Sequence, residues 1–69
     1  MQIEITYHIY EIRHKKNISL RQLEIMSGVS KSQINGIETG SHHPTLITLL
    51  ILATALKVSP EDLYSYRIL

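Results

Sequence analysis

The chain has 69 residues, 43% of them hydrophobic, no cysteine and a formal net charge of +1. At about 60 residues a domain buries only about 60% of the surface its unfolded chain exposes, so one small core is expected and an enclosed active site is not. The missing cysteines exclude a disulfide framework and thiolate metal sites and suit a cytoplasmic setting, the apolar stretch from Leu46 to Leu56 falls well short of the ~20 residues of a membrane span, and Met1 to Thr6 lacks the features of a signal peptide.

Gln2 to Thr6 alternates apolar and polar residues as a strand does, and so does Tyr64 to Ile68. These tails either pair as a small two-stranded ribbon or fray. The first helix is expected from about Tyr7 to Lys16, with Thr6 as its cap, Ile9 and Ile12 inward, and Asn17 as a left-handed stop. The second starts at Ser19, where Ser19-Leu20-Arg21-Gln22 reads as a capping box, and ends before Gly28, a residue free to take positive φ in a tight turn. A second capping box, Ser30-Lys31-Ser32-Gln33, opens the third helix; Ile34 and Ile37 face inward and Gly40 ends it. The fourth runs from about Thr45 to Leu56 with a core stripe of Leu46, Leu49, Leu52, Ala53 and Leu56. The last begins Ser59-Pro60-Glu61-Asp62, a serine cap followed by proline and two acids on the positive helix end. The pattern predicts one compact all-α domain over 1–69, of five short helices with a core over 7–64.

Charge is unevenly placed. Between Arg13 and His43, five basic side chains (Arg13, Lys15, Lys16, Arg21, Lys31) stand against Glu24 and Glu38. That concentration suits an anion-binding face, and equally an ordinary solvated surface. The informative piece is the pair of short helices over about 19–39. A helix-turn-helix needs apolar residues at the crossing, a glycine in the turn, and short polar or cationic residues on the open face of its second helix. Leu23, Val29, Ile34 and Ile37 supply the first, Gly28 the second, and Lys31, Ser32 and Asn35 the third.

The ordered series Ile9-x-x-Ile12-Arg13, Ile18-Ser19-x-x-x-Leu23, Gly28-Val29-Ser30, Ile34-x-x-Ile37-Glu38-x-Gly40, then Pro44 to Leu56 and Val58-Ser59, resembles the XRE family of Cro- and phage-repressor-like proteins. The resemblance implies a five-helix, lambda-repressor-like fold and a double-stranded DNA partner read by helix 30–39 in the major groove. It implies base contacts from Lys31, Ser32 and Asn35, side chains suited to guanine, to either base edge, and to adenine. It implies phosphate contacts from Ser19, Arg21, Ser30, Gln33, Ser41 and His42, with Gln22 and Gln33 serving first as caps. It also places Arg13 and Glu38 as an ion pair that fixes the recognition helix.

This chain departs from the family pattern at four places. Leu20 stands where glutamine is frequent. Glu24 stands where a small residue is usual, within reach of Lys31 or Arg21. The loop Ser41-His42-His43 is less basic than is common, so its pull on phosphate is expected to grow as pH falls from 8 to 6. Ile47 and Ile51 replace polar residues, which leaves the fourth helix apolar nearly all round and therefore covered on more than one face. The second cover is expected to be another subunit meeting Ile47, Leu50 and Ile51 in a two-fold homodimer, with or without help from the C-terminal tail, or else the chain's own tails.

The duller readings are specific too. His42 and His43 are adjacent in a loop with no nearby carboxylate, a poor metal site. His8 and His14 read as surface residues, and the four tyrosines as core edge or tail packing. Lys15 and Lys16 complement a helix dipole. No metal, cofactor, small-molecule ligand or membrane contact is expected. No glycine-rich phosphate loop, acidic metal cluster or Ser/His/Asp arrangement points to an enzyme. Two functions remain: a DNA-binding regulator, most simply a repressor that occupies its site, and an antitoxin-type protein-interaction module that also binds DNA.

Overall fold

A computed structural model describes all 69 residues. In chain order the elements are β1 (Ile3–Tyr7), α1 (Ile9–Lys15), α2 (Leu20–Ser27), α3 (Lys31–Glu38), α4 (Leu46–Leu56), a 3₁₀ turn (Pro60–Leu63) and β2 (Tyr64–Ile68). β1 and β2 pair antiparallel from Ile3↔Ile68 to Tyr7↔Tyr64, so the tails form the ribbon and do not fray.

Several expectations need correction. The fold has four α-helices, not five, and it is not purely helical. The segment after Ser59 makes a single 3₁₀ turn because Leu63 must already be buried, and Tyr64 enters β2 at once. Its start signals are nonetheless in use: Pro60 sits in the first turn, and the Asp62 carboxylate accepts the Ser59 amide at 3.2 Å. Thr6 does not cap α1. It lies in β1 opposite Ser65, and α1 begins only at Ile9, after the His8 amide has donated to the Leu63 carbonyl at 2.8 Å. Ladder pairing outcompetes a local cap at that position.

Elsewhere local chemistry sets the boundaries. Asn17 takes φ 58° after α1, and Gly28 takes φ 76° after α2. Thr45 caps α4, its hydroxyl accepting the Thr48 amide. The core is one cluster drawn from every helix: Ile9, Leu23, Val29, Ile34, Ile37, Leu49, Leu52, Ala53, Leu56 and Leu63. Each fully buried Leu or Ile contributes about 1.5–3 kcal/mol over its exposed state. Leu46 is not part of that stripe. It is 71% exposed, because as the first residue of α4 it lies beyond the α1–α3 packing, on the rim of a groove shared with Ile5, Tyr7 and Tyr64.

Candidate nucleic-acid interface

The turn between α2 and α3 is stitched from both sides. The Ser27 hydroxyl donates to the Leu23 carbonyl at 2.6 Å and accepts the Val29 amide at 3.1 Å. Gly28 carries the left-handed step, and Leu23, Val29, Ile34 and Ile37 close the crossing in the core. The N-terminus of α3 is capped twice. Ser30 Oγ accepts the Gln33 amide at 3.1 Å, and Glu24 Oε2 accepts the Lys31 amide at 2.9 Å. Glu24 thus meets the Lys31 backbone across the turn, bringing a negative charge to a positive helix end.

The two serine caps differ. At Ser19 the box is complete: Ser19 Oγ accepts the Gln22 amide and Gln22 Oε1 accepts the Ser19 amide. At Ser30 only the first half forms, so the Gln33 side chain stays free on the exposed face of α3. Lys31, Ser32, Gln33 and Asn35 are all exposed, while Ile34 and Ile37 are buried beneath them.

Lys31, Ser32, Asn35, Ser41 and His42 line one open concavity with Leu20 and Gly36. Two loop contacts shape it. The Gly36 carbonyl accepts the Ser41 amide at 2.9 Å and the Ser41 hydroxyl at 3.1 Å, which ties the loop back onto α3. The His42 imidazole lies over Gly36, where a Cβ would run into the ring. A side chain at that position would push the exposed His42 ring aside and leave the backbone in place. Ser41 has both its donors on Gly36, whereas His42 presents an unbonded ring. Ser19 borders a separate hollow with Arg13, Asn17 and Gln22. Arg21, Ser30 and Gln33 are exposed around these two depressions.

Arg13 and Glu38 hold α3 from behind. Arg13 Nε and Nη2 donate to the two Glu38 carboxylate oxygens at 2.8 and 2.9 Å, and Nη1 donates to the Ile18 carbonyl at 3.0 Å. Both side chains are buried. The bonds to Glu38 raise the Arg13 pKa above its ordinary value, against the opposing effect of burial. The Tyr10 ring, 5.5 Å from the guanidinium carbon, covers it from α1.

Ile47, Leu50 and Ile51 lie apart from this face. They are 65%, 40% and 40% exposed, so the tails do not cover them. Leu50 and Ile51 border a shallow hollow with Met26 and Ser27 at the end of α2. Sequence reasoning missed Met26, though it is half exposed beside the 71%-exposed Ile25; two adjacent apolar residues at the polar end of an amphipathic helix were the available signal. It also left Glu24 between Lys31 and Arg21. A carboxylate seven residues before a helix N-terminus, across a glycine turn, was the clue there.

The helix-turn-helix family matches residues 9–63 of this chain. An uncharacterised HTH-type transcriptional regulator of Sinorhizobium fredii is 38% identical over 52 residues, which is 75% of this chain and 68% of that protein. Another, of Mycobacterium tuberculosis, is 40% identical over 52 residues, but this chain spans only 37% of its length. Among solved structures, the restriction-modification controller protein C.AhdI of Aeromonas hydrophila is similar with a TM-score of 0.77 at 34% identity, over 80% of this chain and 83% of that one. A putative DNA-binding protein of Bacteroides fragilis shares the fold with a TM-score of 0.81 at 24% identity, over 90% of this chain and all of that one.

Proposed function

This chain belongs to the XRE-type helix-turn-helix family, and from that premise we propose that it is a sequence-specific, double-stranded-DNA-binding transcriptional regulator. The observation that carries the reading is the construction of α3. Its outer face presents Lys31, Ser32, Gln33 and Asn35, while caps, the Arg13–Glu38 fork and a dry core fix the helix from the other sides. A helix held in this way enters a major groove as a rigid reader. Lys31, Ser32 and Asn35 face base edges. Arg21, Ser30, Gln33 and His42 ring the same surface for phosphate contact, with Ser19 and Ser41 at its margins. At the start of α2 the Leu20 and Arg21 amides have no partner within the chain, which suits a phosphate oxygen at a helix N-terminus.

The protein acts as a homodimer through Ile47, Leu50 and Ile51, reads an inverted repeat, and represses by occupying the site. Ile51→Glu is expected to sediment as a monomer. Selection from a random duplex pool at about 100 mM salt tests the whole reading. It should enrich an inverted repeat with half-site centres about 10–11 base pairs apart. Lys31→Ala and Asn35→Ala should each relax preference at defined positions by about 1–3 kcal/mol, and Arg21→Ala should weaken binding evenly across sequences. Sequence-blind, salt-sensitive binding alone would defeat it.

A further inference from the structure

The β1–β2 ribbon is amphipathic, and the outer part of its apolar side has no cover. The register puts Ile3 opposite Ile68, Ile5 opposite Tyr66 and Tyr7 opposite Tyr64, so all six project from one face. The other face carries Glu4 with Arg67 and Thr6 with Ser65, and the Arg67 guanidinium bonds Glu4 there at 3.0 Å through Nε. Tyr7 and Tyr64 pack against the core. Beyond them the apolar face opens: Ile5 is 39% exposed, Ile3 56%, Ile68 58% and Tyr66 64%. The ribbon is an arm that leaves its own core, and the molecule is correspondingly long, 37 × 20 × 20 Å. A two-stranded ribbon by itself is marginal in water.

This face is continuous with the outer stripe of α4. The groove at its foot joins Ile5, Tyr7 and Tyr64 to Leu46 and Leu49, and Leu46 leads to Ile47, Leu50 and Ile51 at helical spacing. A stable interface needs roughly 800 Å² from each partner, whereas three half-exposed aliphatic side chains on α4 offer on the order of 300 Å². The ribbon face supplies the missing area. Its polar face is internally neutralised by Glu4 and Arg67, so two ribbons meet without like-charge repulsion. An isologous contact requires one self-complementary patch on each subunit, and this apolar strip meets that requirement.

We infer that the occupant of the ribbon's apolar face is a second copy of this chain, so that Ile3, Ile5, Tyr66 and Ile68 form the outer half of a dimer interface whose inner half is α4. The inference rests on the homodimer proposed above. Sedimentation equilibrium of the full chain separates the two claims. Ile5→Thr with Ile68→Thr keeps β-branched residues in both strands while removing apolar contact, and should raise the dimer dissociation constant by about tenfold or more, with far-UV helix signal unchanged. If that variant dimerises as the unaltered chain does while Ile51→Glu is a monomer, the ribbon has no part and the α4 dimer stands. If Ile51→Glu remains a dimer, the α4 reading itself falls. A second measurement does not depend on the variant's fold. The chain has no cysteine, so Ile68→Cys on the apolar face should give a disulfide-linked dimer under mild oxidation, and Ser65→Cys on the polar face should give far less. Equal yields from the two, or no cross-link at Ile68→Cys, would overturn the inference.

Discussion

Two arginine–carboxylate pairs stand in two regions of this molecule, the helical body and the ribbon. Arg13 meets Glu38 behind α3, with Nε–O 2.8 Å and side chains 7% and 5% exposed. Arg67 meets Glu4 across the ribbon, with Nε–O 3.0 Å and side chains 70% and 55% exposed. The chemistry is the same, but the consequences differ. Around Arg13 every other group is committed, to the Ile18 carbonyl and the Tyr10 ring, so losing one partner strands a charge in a dry place. Around Arg67 water replaces whatever is lost. Burial, more than bond geometry, decides which pair the fold depends on.

Arg13→Ala should break the comparison hardest. It leaves Glu38 buried and unpaired, at a cost of about 3–5 kcal/mol in urea-monitored unfolding. Arg13→Met combined with Glu38→Leu should recover most of that loss, since apolar replacement of a buried pair is often neutral. Ser30→Ala is expected to cost about 1 kcal/mol, while Glu24 still holds the Lys31 amide. Tyr7→Phe probes the joint between the two regions. Its hydroxyl bonds His43 Nδ1 at 2.8 Å and ties the loop after α3 to the ribbon, so about 0.5–1 kcal/mol should go. Burial raises the Tyr7 pKa above 10.0, so the fold favours the neutral phenol. That contribution is full below pH 10.0 and fades as pH rises through the higher folded-state value; Tyr7→Phe should remove this part of the alkaline loss. Arg67→Gln should be the smallest change, a few tenths of a kcal/mol that disappears near 1 M salt.

Most of the body was legible because its signals are local. The Ser19 and Ser30 caps and the left-handed stop at Asn17 all depend on neighbours within four residues. The errors came where a distant segment won. Thr6 reads as a helix cap until Ser65 pairs with it, and the segment opened by Ser59 reads as an α-helix until β2 claims Tyr64. Leu46 reads as core until the shape of the bundle places it on a groove. Glu24 shows the same limit at the site. Its residue type permits several partners, and only the angle between α2 and α3 selects the Lys31 amide.

The ribbon also sets how the chain would yield to force. Met1 and Leu69 leave the same end of β1–β2, where the Leu69 amide donates to the Gln2 carbonyl at 2.8 Å. A pull on the two termini therefore loads the rungs one at a time, from Ile3–Ile68 toward Tyr7–Tyr64, and opens them as a zipper. The helical body, including the surface proposed to meet DNA, feels tension only after the last rung has parted.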